Sequence, residues 1–187
     1  FQKLHSHKID DLSLERVRLL MAGLGNPQDK INCIQVCGTN GKGSTISFLR
    51  SILNEANYKC NVYTSPNVIS INERFVYNDE MIGDDDLADL LNKVHEVNNG
   101  KSLSYFEALT AAFFLGCEKY QDNIVLAEFG LFGRGDCVNI LKKNLANCVS
   151  SISHDHLDWL PENDRTIERI IYEKSSSLLN SNIIVAK

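Results

Sequence analysis

The chain has 187 residues, of which 43% are hydrophobic, enough for a single globular domain with a sizeable core. Lys and Arg number 19 against 24 Asp and Glu, and the net charge of −5 argues against a dedicated nucleic-acid surface. No apolar run approaches the roughly 20 residues that span a bilayer, so neither nucleic acid nor membrane is expected as a partner.

The chain opens on Phe1 rather than Met, and nothing after it has the pattern of a secretory signal, so sequence ahead of it is expected to be missing. Leu12, Leu14, Val17, Leu20, Met21 and Leu24 recur at helical spacing, and Gly25-Asn26-Pro27 ends that helix. Ile31 to Cys37 reads as a buried strand. A helix follows from Gly43 to Ala56, with Ile46, Leu49, Ile52, Leu53 and Ala56 on one face, and then a strand from Cys60 to Tyr63. Asp84-Asp85-Asp86 opens a helix to Val97, its acids suiting the positive end of the helix dipole. Ser104 and Glu107 form a capping box for a helix reaching Tyr120. Further strands are predicted at Asn123–Glu128, Asn147–Ile152 and Ile183–Ala186, with a helix from Thr166 to Leu179 between the last two.

Strands that read as unbroken apolar runs and alternate with helices indicate a parallel sheet covered on both faces. The predicted fold is therefore a three-layer, mostly parallel α/β domain over residues 1–187, with its ligand at the carboxyl ends of the strands. Six cysteines (33, 37, 60, 117, 137 and 148) lie mostly inside apolar runs, without a C-x-x-C pair. They read as small buried hydrophobes in a reducing, cytoplasmic compartment rather than as a disulfide framework or a zinc site.

Gly38-Thr39-Asn40-Gly41-Lys42-Gly43-Ser44-Thr45 stands directly between the first strong strand and a helix. Its glycines let the backbone turn tightly and aim N–H groups at phosphate oxygens, and the helix adds the positive end of its dipole. Lys42 would neutralise the β- and γ-phosphates of ATP. The segment departs from the common G-x-x-x-x-G-K-[ST] pattern, because Val36 occupies the first glycine's place and Gly43 follows the lysine. Thr39 to Thr45 are the expected nucleotide-binding residues.

That variant loop resembles the one in the folate branch of the Mur ligase superfamily. Ile9–Val17, Tyr63-Thr64-Ser65-Pro66, Ile71-Asn72-Glu73-Arg74, Ser104–Glu107, Glu128–Asp136, Ile152–His156 and Glu173-Lys174 resemble segments of the same branch, in the same order. The chain is similar to the dihydrofolate synthase/folylpolyglutamate synthases, and the resemblance implies the P-loop NTPase-like topology of the Mur ligase central domain. It implies an ATP-dependent ligase that joins L-glutamate to dihydropteroate or to a reduced folate through an acyl phosphate. The family's C-terminal domain has no counterpart in these residues, so the chain is expected to be one of two domains and incomplete alone. A monomer is expected.

The resemblance further implies Ser65 and Glu128 as ligands of one Mg²⁺, and His156 as ligand of a second. Lys174 would be carbamylated, and Lys42, Glu128, His156 and Lys174 would carry the chemistry. Leu12, Ser13, Leu14, Ser104, Tyr105, Phe106, Glu107, Gly135, Asp136 and Cys137 would hold the pterin. Taken alone, Glu128 is equally an ordinary charge at a strand end, and His154-x-His156 a loop pair or two side chains on one strand face. Lys174 is equally a solvated helix lysine, Phe106 a core residue and Glu107 only a capping acid. Phe132 and Gly135 depart from the family's glycine loop, and Ser175-Ser176 from its Ala-Gly. Two other functions fit the phosphate loop: a cell-wall Mur-type ligase, or a nucleotide-binding module without catalysis.

Overall fold

A computed structural model describes residues 12–178 and 182–186. The elements run α1 (Glu15–Gly23), β1 (Asn32–Cys37), α2 (Lys42–Glu55), β2 (Cys60–Tyr63), β3 (Phe75–Tyr77), β4 (Glu80–Met81), α3 (Asp84–Asn98), α4 (Tyr105–Cys117), β5 (Ile124–Glu128), β6 (Ala146–Val149), α5 (Ile167–Ser175) and β7 (Ile183–Val185). They build one seven-stranded sheet in the order β4-β3-β2-β5-β1-β6-β7. The pairs β2/β5, β5/β1, β1/β6 and β6/β7 are parallel, and β2/β3 and β3/β4 are antiparallel.

Side chains alternate across the pleat, so each strand feeds two cores. Cys33, Cys37, Tyr63, Phe75, Tyr77, Val125, Ala127 and Val149 face the large cluster formed with α1, α3 and α4. Val36, Cys60, Val62, Leu126 and Cys148 face Ile46 of α2 on the other side. The expected three-layer, mostly parallel α/β fold is present. Phe132, Leu160 and Ile170 form a third cluster that seats α5.

Several boundaries differ from the sequence-based expectation. The helix expected from Leu12 begins at Glu15, and the one expected to Tyr120 passes into a 3-10 turn at Glu118–Tyr120. The strand expected to reach Ile152 stops at Val149, because the next residues turn to brace the phosphate loop. His154 and His156 therefore lie in a loop rather than on one strand face, and His156 has φ 54°. Thr166 caps α5 by accepting from Arg169 N–H at 3.1 Å. Leu179, the expected end of that helix, and residues 9–11 of the N-terminal segment lie outside the described residues.

The β3–β4 hairpin was not expected. Asn78 and Asp79 both sit at positive φ, 52° and 70°, which suits a two-residue turn. Asp79 accepts from Arg50 Nε and Asn54 Nδ2 of α2, each at 3.1 Å.

Candidate functional site

The carboxyl ends of β1, β2 and β5 are neighbours, and each delivers one part of the site. β1 runs into the phosphate loop, where Gly41 at φ 84° starts α2. The N–H groups of Lys42, Gly43 and Ser44 have no acceptor among the described residues. Thr45 bonds back to Gly41 O through both N–H and hydroxyl, at 2.9 and 2.8 Å. A cluster of unpaired amides at the positive end of a 14-residue helix suits a phosphate group. ATP fits this cradle.

The loop's outer side is braced by the segment after β6. Thr39 N–H donates to Ser151 O at 2.6 Å, Ser150 Oγ to Cys37 O at 3.0 Å, and Ser151 Oγ to Asn40 O at 3.1 Å. The Thr39 hydroxyl donates to Ser153 O and accepts from Ser153 N–H, both at 3.1 Å. Thr39 thus shapes the loop through its side chain, whereas Ser44 leaves its hydroxyl without a partner among the described residues.

Lys42 Nζ donates to Gly38 O and Thr39 O, each at 3.2 Å, and lies 3.7 Å from Glu128 Oε1. Glu128, at the end of β5, is 5% exposed and its Oε2 accepts from Ser65 N–H at 3.1 Å. Burial pushes the Glu128 carboxyl up, while the Ser65 amide and Lys42 oppose the shift. A partly desolvated carboxylate bonded to the backbone of Ser65, a residue that itself carries a hydroxyl, offers hard-oxygen donors of the kind Mg²⁺ takes together with waters and phosphates. The donor chemistry fits the metal expected there.

The second corner is built differently. Lys174, on α5, is 1% exposed and donates to Gly38 O at 3.1 Å and Leu131 O at 3.2 Å. Its ammonium lies 3.8 Å from Asp155 Oδ2, which also lies 3.2 Å from His156 Nε2. Lys174 is therefore a buried residue of the site, not a solvated helix lysine. Burial pushes its pKa down. Burial likewise pushes His156 down, against the pull of Asp155, so the imidazole is neutral near pH 7. Among the described residues no three His, Cys, Asp or Glu side chains form a cage for a metal. A second Mg²⁺ fits only with substrate oxygens and waters completing its shell.

Beside this corner lies a cavity of about 370 Å³, with Ser65, Pro66 and Leu131 in its wall. Leu12, Ser13, Leu14, Ser104, Phe106, Glu107, Gly135, Asp136 and Cys137, nine of the ten residues that the resemblance implied for a pterin, line it. Tyr105 does not; it packs against the large core cluster. Phe106 stacks on Tyr63, with centroids 5.9 Å apart. Glu107 closes the capping box with Ser104 N–H at 2.7 Å and pairs with Arg16 at 3.2 Å. Gly135 leaves no room for a side chain, because a Cβ there would lie 2.5 Å from Leu12 Cβ.

Asp136 organises the wall between the two corners. It is buried, accepts from Leu131 N–H at 2.8 Å and Val138 N–H at 2.9 Å, and burial pushes its pKa up to about 6. Seven residues absent from the sequence-derived site belong to it: Arg16, Pro66, Arg74, Gly130, Leu131 and Trp159 on the cavity, and Asp155 between His156 and Lys174. Their sequence signal was only position: all but Trp159 lie inside a motif segment, and Trp159 follows one by three residues.

No family model matches the chain. Among curated proteins, the dihydrofolate synthase/folylpolyglutamate synthase of Bacillus subtilis is 39% identical over 170 residues, covering 87% of this chain and 38% of that protein. The Escherichia coli protein of the same description is 37% identical over 168 residues, covering 90% and 39%. Escherichia coli FolC in complex with DHPP and ADP shares the fold with a TM-score of 0.85 at 36% identity, over 94% of this chain and 41% of that one. A Yersinia pestis bifunctional folylpolyglutamate synthase/dihydrofolate synthase complexed with AMPPNP and Mn ion gives 0.86 at 30%, over 97% and 43%. The chain spans well under half the length of these relatives. Sequence and fold agree along nearly the whole chain, which belongs to the dihydrofolate synthase/folylpolyglutamate synthase family and matches its N-terminal part.

Proposed function

We propose that the protein carrying this chain is an ATP-dependent ligase that joins L-glutamate to dihydropteroate or a reduced folate. One observation carries the reading: Ser65 both donates its N–H to Glu128 and lines the 370 Å³ cavity, so phosphate corner and cavity meet at one residue. A carboxylate on a cavity-bound acid would thereby face the γ-phosphate of ATP on the loop. The carboxylate oxygen attacks phosphorus, ADP departs, and an acyl phosphate remains. The glutamate amine then attacks the carbonyl carbon, phosphate leaves, and the amine loses its proton.

Such chemistry needs positioning and charge neutralisation more than covalent help. Lys42 and the free amides of residues 42–44 would hold the transferring phosphoryl group. Ser65 and Glu128 would hold one Mg²⁺, and His156 with a carbamylated Lys174 a second; these ions supply charge neutralisation at the phosphate oxygens. The cavity residues from Leu12 to Cys137 would hold the pterin. The Leu12–Val17 and Tyr63–Arg74 segments, which resemble the folate branch, support a folate acid over a cell-wall peptide as substrate. We place the protein in the cytoplasm as a monomer, the former supported by six free, buried cysteines.

The relatives' length supports treating residues 1–187 as one of two domains, with glutamate taken up with help from the other. The test is ADP release by the whole protein with dihydropteroate and glutamate, beside a muramyl peptide acceptor. Dihydropteroate-dependent turnover that Lys42→Ala abolishes is the expected result. Turnover with the peptide alone would establish the cell-wall alternative, and nucleotide binding without turnover on either acceptor would establish a module without catalysis.

A further inference from the structure

Three aromatic side chains stand at or near the cavity, and two are already committed. Phe106 stacks on Tyr63 with an interplanar angle of 29°, and Tyr105 packs into the core. Trp159 is different. It lines the cavity, is 38% exposed, and its indole has no ring or hydrogen-bond partner among the described residues.

The backbone beneath it is anchored on both sides. Trp159 N–H donates to His156 O at 3.1 Å and Leu160 N–H to Leu157 O at 3.0 Å. Leu157 and Leu160 pack with Phe132 and Ile170, and Arg165 Nε donates to Leu160 O at 3.3 Å. The turn is thus held firmly while its one side chain on the cavity is left without a partner among the described residues. A large, rigid, half-bare aromatic surface at a cavity wall favours a flat ring that removes it from water.

We propose that Trp159 is a substrate-contacting specificity residue, its indole forming the wall that closes on the planar ring of the acid substrate. This rests on the ligase reading above for the identity of that acid. Because the turn begins at His156, the wall is fixed relative to the phosphate corner, and a ring seated against Trp159 is held at a set distance from it.

The test is calorimetric titration of the whole protein with dihydropteroate in the presence of MgADP, for the wild type and Trp159→Phe, Trp159→Leu and Trp159→Ala. Trp159→Ala should weaken dihydropteroate binding at least about tenfold. Trp159→Phe should stay close to wild type and Trp159→Leu fall between, while affinity for MgADP is unchanged throughout. Acrylamide quenching, read from fluorescence lifetimes as the difference between wild type and Trp159→Phe, should fall when dihydropteroate binds. Unchanged dihydropteroate affinity in Trp159→Ala overturns the proposal. So does a parallel loss of MgADP affinity, which would make the indole a structural prop. A wild type that binds no dihydropteroate overturns the substrate reading itself, and this inference with it.

Discussion

At Lys174 two chemistries compete for one nitrogen. As an ammonium it ties Gly38 O of the phosphate loop to Leu131 O of the following loop, a strut between the two corners. As a free amine, which burial favours, it would be the form that takes up CO₂ in the proposed carbamate, whose negative charge a proposed Mg²⁺ beside it would favour. The carbamate reading expects Lys174→Ala to lose ligation and a small carboxylate in solution to restore part of it. Lys174→Arg, which keeps the charge but cannot become an anion, should stay inactive. Full activity of Lys174→Arg in a ligation assay would leave Lys174 as a strut. The glycines give a second contrast. Gly38 has φ 138°, and a Cβ there would run into Ser150 Oγ and lie 3.0 Å from Ser151 O, whereas one at Gly43 meets nothing within 4 Å. Gly38→Ala should lower both the melting temperature and MgATP affinity. Gly43→Ala should leave melting unchanged and weaken MgATP alone, because only the ligand would meet the added methyl.

Between elements, the junction of α5 with the 130–136 loop rests on one buried carboxylate. Glu173 has a side chain 1% exposed; Arg134 donates to it at 2.7 and 2.9 Å and Arg169 at 2.6 Å. Arg134 N–H adds a bond to Glu173 O at 2.9 Å. Burial alone would raise the carboxyl's pKa, but the two guanidiniums outweigh it and hold it below the usual value. A depressed folded pKa means that the stabilisation is fully present above the unfolded value of about 4.3, and is lost as pH falls through the folded value. Glu173→Gln should therefore cost about 2 kcal/mol at pH 7 in urea unfolding, and the difference from wild type should shrink below about pH 4. A difference independent of pH would show that the ion pairs contribute nothing. Misplaced α5 would also carry Lys174 away from Gly38.

Over the whole molecule, the two sheet edges are unlike. The β4 edge is short, and the hairpin behind it is clamped to α2 through Asp79. The β7 edge is apolar, with Ile183, Ile184 and Val185 exposed by 50%, 60% and 66%. Open apolar edges template pairing with other chains. The 187-residue chain by itself should thus self-associate, and Ile184→Lys should reduce light scattering while leaving MgATP binding intact. Scattering insensitive to that substitution would place the association elsewhere.

Local information in the sequence was sufficient for the repeating elements and for the phosphate loop. Helical spacing, the Ser104/Glu107 box and apolar strand runs act over a few residues, and a glycine-rich turn between strand and helix works through its own backbone. The β3–β4 hairpin escaped because its strands are too short to show a period, and its turn is held by Arg50 and Asn54 from a distant helix. The end of β6 escaped for a like reason, since its continuation is drawn into bonds with Thr39 and Asn40 more than a hundred residues earlier. The cavity residues could be named from their resemblance, yet Tyr105 went to the core because helix geometry turns adjacent side chains to different sides. Only the tertiary structure placed Asp155 between His156 and Lys174, joined Glu173 to Arg134, and left Trp159 without a partner among the described residues. Those outcomes depend on burial and distance between separate segments, which no local pattern encodes.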